Sequence, residues 1–250
     1  MICLSQPIAI FGLHACCRAK VLAIIARPPG GTWSAARFRD DGGSRPLRGE
    51  LWPWGLPLLS LREREQVLTA NTLMAVTFRF AYAAQASGTA MVVEHPAYPS
   101  WIAERRPPCI WRLPLCQALL QQPGVDLHTV DQCMLGAAGR KPTSLLSVHV
   151  PDLGRLIGAA PFRCRCSGDH EHSSLQGKTD AMEGRAASHK QYPRGLSELL
   201  AGAILAQSRL RESCGARFHD VWAAIDEEVA SCYAALDYTL ELAGEAGWGR

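Results

Sequence analysis

The sequence predicts an α/β fold, on three observations. Short apolar runs bounded by turn residues alternate with longer helix-forming stretches. The first two runs each lead into a proline turn, at Pro28-Pro29-Gly30-Gly31 and at His95-Pro96. Irregular segments follow both, and in open α/β sheets that carboxyl edge is where ligands bind.

The elements follow in order. Residues 1–20 carry only the weak pattern of a broken helix. Val21 to Ala26 is a short apolar run that reads as a buried strand. Residues 38–57 hold Gly42-Gly43, Trp52 and Trp54 among prolines and glycines, and read as a long loop. Ser60-Leu61-Arg62-Glu63 is a capping box that opens a helix, which Gly88 stops after Ser87. From Thr72 to Ala84 that helix is apolar nearly all round, so it is expected to be buried. Ala90 to Glu94 is the second strand, followed by an irregular stretch over 96–110 and a helix over Leu113–Leu120. Leu127–Gln132 and Thr143–Val148 are two more strands, linked through Gly136, Gly139 and Pro142. After Pro151 the character changes. Residues 161–192 are polar and without period, and two amphipathic helices follow. Leu196, Leu199, Leu200, Ala203 and Ile204 share the face of the first; Val221, Ile225, Val229, Cys232, Leu236 and Leu240 share that of the second.

Composition sets limits. Of 250 residues, 48% are hydrophobic and 20% charged, which excludes wholesale disorder. The net charge of +3 accommodates a nucleic-acid partner without arguing for one. Ten cysteines are irregularly spaced, no secretion signal opens the chain, and no window has the apolar length of a membrane span. The expectation is a reduced, intracellular (nuclear or cytoplasmic) protein with mostly free thiols.

Three motifs stand at the predicted strand ends. Pro28, Pro29, Gly30, Gly31, Thr32 and Ser34 form either a plain proline turn or a ligand loop. In the second case glycine lets backbone N–H groups and small hydroxyls approach a ligand closely. Glu94 closes the second strand, either capping a neighbouring loop or accepting hydrogen bonds from a substrate amide or base edge. Asp131-Gln132-Cys133-Met134-Leu135-Gly136 with Arg140 and Lys141 is either a simple hairpin or a basic hairpin facing an anion such as a phosphate backbone. Arg37, Arg105 and Arg106 join Arg140 and Lys141 as candidate phosphate contacts, for weak, salt-sensitive binding of DNA or RNA; a scattered, solvated surface is the alternative.

Taken in order, these motifs resemble the catalytic half of the cytosine-5 DNA methyltransferases, which depend on S-adenosylmethionine. That family carries a Pro-Cys loop after one strand, a Glu-Asn dipeptide after the next, and a later Gln-x-Arg-x-Arg hairpin. Segment 21–150 also resembles uncharacterised reading frames of retroelement-rich genomes, whose loop reads Pro-Pro-Cys-x-Thr-Trp-Ser. The resemblance implies a Rossmann-like sheet with helices on its faces, incomplete here, followed by a helical C-terminal tail. It places Glu94 as the carboxylate that holds a flipped base, His95 where the family has Asn, and Arg140 or Lys141 in the basic hairpin. The nucleophilic cysteine would fall at Gly30, which has no side chain to attack with. A Gly-x-Gly cofactor turn ahead of Val21 is absent.

Cys164, Cys166, His170 and His172 put two thiols and two imidazoles within nine residues. They are incidental members of a polar loop or a small zinc site, since Cys₂His₂ suits tetrahedral zinc. His149 or His189 could supply a ligand from elsewhere.

The expected organisation is therefore a methyltransferase-like α/β domain over 1–160 lacking its cofactor half, a Cys/His loop over 161–192 and a helical tail over 193–250. The expected function is that of a degenerate methyltransferase-like protein, inactive alone and without a cofactor of its own. Two rivals stand beside it. One is a non-enzymatic nucleic-acid-binding module with a zinc site; the other is an active half that another chain completes and that then uses S-adenosylmethionine.

Overall fold

The computed structural model describes residues 21, 23–40, 43–160, 162–164, 172–173 and 191–208. Four strands form one mixed sheet: β1 (Ala23–Ala26), β2 (Ala90–Pro96), β3 (Val125–Asp131) and β4 (Pro142–Val148), in the order β1-β2-β4-β3. β1 and β2 are parallel, with Ala26 opposite Val93. β4 runs antiparallel to both of its neighbours and pairs with β3 from Val125↔Val148 to Asp131↔Pro142. The α/β class is as expected.

The connection from β1 to β2 runs through helix α1 (Leu61–Ser87). Its ends are those the sequence specifies. The Ser60 hydroxyl accepts from the Glu63 N–H, the Glu63 carboxylate accepts from the Ser60 N–H at 2.9 Å, and Gly88 closes the helix in the left-handed region at φ 68°. Such a cap is worth about 1 kcal/mol.

Alternation along β2 gives the sheet two buried faces. Met91 and Val93 pack with Met74, Phe78, Ala81 and Ala84 of α1 and with Leu115, Cys116 and Leu119 of α2 (Pro114–Leu120). Ala90 and Val92 pack on the other side with α3 (Pro151–Ala159) and α4 (Arg194–Ser208). The layers are helix, sheet, helix. Each fully buried Leu, Met or Phe contributes about 1.5–3 kcal/mol.

Two differences from the sequence reading concern these helices. No helix was expected over 151–159, where α3 forms with Gly154 and Gly158, residues of low helix propensity, inside it. Packing overrides propensity here: a Cβ on Gly154 would stand 2.9 Å from the His128 ring, so the glycine lets α3 lie close on β3. Helix α4, expected as the start of a tail, buries Leu196, Leu200, Ala203 and Ile204 in the same core as β2 and β4. The helix expected over Val221–Leu240 lies outside the described residues, as do the broken helix over 1–20, most of the polar stretch 161–192, and Cys166, His170 and His189. No helix among the described residues is long and apolar enough to cross a membrane.

Arg48 organises the long loop between β1 and α1. It is 1% exposed. Its guanidinium donates to Thr32 Oγ1 (3.0 Å), Pro53 O (2.7 Å), Asn71 Oδ1 (2.7 Å) and Val67 O (3.2 Å), and its Cζ lies 4.3 Å from the centre of the Trp33 ring. A buried cation is tolerated only when its donors are satisfied in this way. Arg48 thus ties the turn after β1 to the middle of α1.

Candidate functional site

All three motifs meet at the carboxyl ends of β1 and β2. There a cleft of about 400 Å³ is lined by Arg27, Gly30, Trp33 and Ser34 from the first turn, by Glu94, His95 and Pro96 from β2, and by Arg140, Lys141 and Pro142 from the hairpin. Trp101, 56% exposed, and Cys109 close the side formed by the 96–110 loop. A neighbouring groove of about 590 Å³ shares Trp101, Cys109, Arg140 and Pro142 with it and runs on over Thr129 and Arg163.

Glu94 is 1% exposed yet charged neighbours surround it. Arg27 Nε stands 2.8 Å from one carboxylate oxygen and Lys141 Nζ 3.6 Å from the other. Arg27 continues β1 one residue past the Ala26↔Val93 pair, which brings it alongside Glu94. Two cations thus face the buried carboxylate, one on each oxygen. Burial pulls the Lys141 ammonium below its ordinary range, with Glu94 opposing the shift. Tyr192 completes this side; burial first, and Glu94 second, raise its hydroxyl so that it stays protonated.

His95, next along β2, points to the other face. Its ring meets Trp33 and Trp111 edge-on, at 6.4 and 6.2 Å between centroids. Burial, reinforced by Lys141, Arg48 and Arg27, pushes its imidazole down to about 3, so it is neutral. Its Nε2 is buried without a hydrogen-bond partner among the described residues. The residue facing that nitrogen is Gly30.

The ligand-loop residues divide. Pro28, Gly30, Gly31 and Ser34 line the cleft, whereas Pro29 and Thr32 do not. The Thr32 hydroxyl accepts from Arg48, and the Ser34 hydroxyl caps the following 3-10 turn by accepting from the Ala36 N–H. The basic residues divide as well. Arg140 and Lys141 line the cleft, but Arg37, Arg105 and Arg106 do not. Arg37 donates to the carbonyls of Gly31 and Arg45. Arg105 pairs with Asp40 and donates to the Phe38 carbonyl, and Arg106 pairs with Glu50. Gln132 turns inward and donates to the Thr143 hydroxyl at 2.9 Å.

Of the four candidate metal ligands, Cys164 and His172 are described, and their Sγ and Nε2 lie 3.5 Å apart. A third donor that the sequence reading did not include, Cys133, joins them, and all three ligand atoms fall within 4.8 Å of one another. Cys133 sits in the 3-10 turn Gln132–Leu135 after β3. Burial first, then the Cys164 thiol, push its own thiol up to about 11.

Comparison with protein-family models, curated proteins and solved structures finds no match to the chain.

Proposed function

We propose that the chain is a methyltransferase-like nucleic-acid-binding protein that takes an unstacked base into the cleft and does not catalyse methyl transfer by itself. The observation that carries this reading is Glu94, a carboxylate buried at the cleft floor beside Arg27 and Lys141. Exocyclic amino and ring N–H groups of a base are donors that a carboxylate accepts from. Trp101 offers a stacking face at the rim, and Arg140 lies at the junction with the neighbouring groove, where a phosphate would follow the base. Asp131, which pairs with Arg140 at 3.4 Å, keeps Arg163 at 3.5 Å when Arg140 turns to a phosphate.

The cleft is poorly equipped for chemistry. Gly30 gives no nucleophile, and the described cysteine that lines the cleft, Cys109, has its thiol raised by burial and so held protonated. The sulfonium of S-adenosylmethionine fits badly beside Arg27, Arg39, Arg140 and Lys141, all of which line the cleft. No step is derived through that cofactor.

The test is fluorescence anisotropy with labelled single-stranded and duplex DNA and RNA across a salt series. Expected are preference for the single strand, affinity that falls steeply with salt, weakening in Arg140→Ala and Lys141→Ala, and a loss of base preference in Glu94→Gln. Undetectable binding at low salt, or binding indifferent to all three changes, overturns the reading.

A further inference from the structure

We propose that Cys133, Cys164 and His172 hold a zinc ion that clamps the segment after α3 onto the β3–β4 hairpin, an inference independent of what the cleft binds. Three stretches of chain converge here, each fixed by backbone hydrogen bonds. The Asp131 N–H donates to Phe162 O at 2.7 Å, and the Cys164 N–H donates to Asp131 Oδ2 at 2.9 Å. The Ser173 N–H donates to Ala138 O at 2.9 Å, which anchors His172 beside the hairpin. These contacts bring the three donors together.

Donor type and spacing agree with zinc. Two thiolates and an imidazole are a borderline-soft set that zinc takes readily. With Zn–S about 2.3 Å and Zn–N about 2.0–2.1 Å, a tetrahedral S–N edge is about 3.6 Å and an S–S edge about 3.8 Å. The observed Sγ–Nε2 separation of 3.5 Å matches the first, and all three atoms lie within 4.8 Å. Cys133 and Cys164 are 9% and 7% exposed, so an ion there is shielded, and the three donors among the described residues take three of zinc's four tetrahedral positions. Two thiolates balance the dication. Binding releases the two thiol protons, so affinity rises with pH.

The experiment uses the full chain, purified reduced and without chelator. Metal analysis is expected to give about one zinc per chain. Replacement by Co²⁺ is expected to give thiolate-to-cobalt charge-transfer bands and tetrahedral ligand-field bands. Cys133→Ser should lose the ion, while Cys116→Ser, a buried thiol in the other core, should retain it. Cys133→His guards against misfolding: it keeps a donor, so the cobalt complex should persist with weaker charge transfer from one thiolate instead of two. A metal content near zero together with no cobalt spectrum overturns the proposal. So does retention of the ion in Cys133→Ser, or a Cys133–Cys164 disulfide in the protein as purified.

Discussion

Gly30 and His95 face each other across the cleft: a Cβ on Gly30 would stand 3.5 Å from Nε2 of His95, an ordinary van der Waals distance. The position that the family resemblance gives to a nucleophile is thus open to a side chain, and Gly30 is not held at a positive φ. Gly30→Cys is expected to fold with unchanged stability. Its thiol should alkylate faster than buried Cys109, as read by peptide mapping after a short iodoacetamide pulse. Equal or slower modification at position 30 would show that this side of the cleft is closed.

Arg48→Ala is expected to lower stability by about 3–5 kcal/mol, because it strands a set of buried acceptors at once. Thr32, Pro53, Val67 and Asn71 each lose a donor. Arg48→Lys should recover little, since a point ammonium cannot reach the four acceptors of a planar fork. Urea denaturation of the three proteins measures this. A loss under about 1 kcal/mol for Arg48→Ala would mean the loop does not depend on the buried guanidinium.

His95 sets a pH dependence of stability. In the fold its imidazole is pushed down to about 3, so the native state stays neutral while the unfolded chain takes up a proton near 6.5. The unfolded state then binds more protons, and stability rises with pH in that interval. The contribution is complete above 6.5 and is lost as pH falls from 6.5 towards 3. The limiting slope is about 1.4 kcal/mol per pH unit. His95→Gln should flatten the stability curve between pH 6.5 and 5; an unchanged slope would assign it to other groups.

Strand ends and the capped helix were legible because their signals are local. Ser60 with Glu63 fixes one end of α1 and Gly88 the other, and short apolar runs fix β1 to β4 within two residues. What was not legible depends on register and on distant contacts. Arg27 looks like a turn residue until the parallel pairing of Ala26 with Val93 sets it beside Glu94. Cys133 belongs with Cys164 only because Asp131 bonds the 162–164 segment to the hairpin. Arg48 gives no sign of burial, since its four acceptors come from the first turn, its own loop and α1. The spread of Arg37, Arg105 and Arg106 to structural partners has the same origin: carbonyls and carboxylates of neighbouring loops claim them.

The chain alone is expected not to transfer a methyl group to cytosine, and Gly30→Cys is expected not to restore transfer. Attack on the base needs a thiolate. In Gly30→Cys the nearest nitrogen is His95 Nε2, and burial together with Lys141, Arg48 and Arg27 makes that imidazole a poor proton acceptor. Arg27, Arg39, Arg140 and Lys141, which line the cleft, oppose a sulfonium donor there. Glu94 can hold a base, but holding gives recognition without bond making, and extruding a base from a duplex still costs a few kcal/mol. Calorimetry with S-adenosylmethionine should therefore show no binding, and a labelled-methyl assay on DNA should give background counts for both proteins. The decisive control is Glu94→Ala. Label on DNA that appears with the unaltered chain and vanishes in Glu94→Ala would show the cleft to be a working active site.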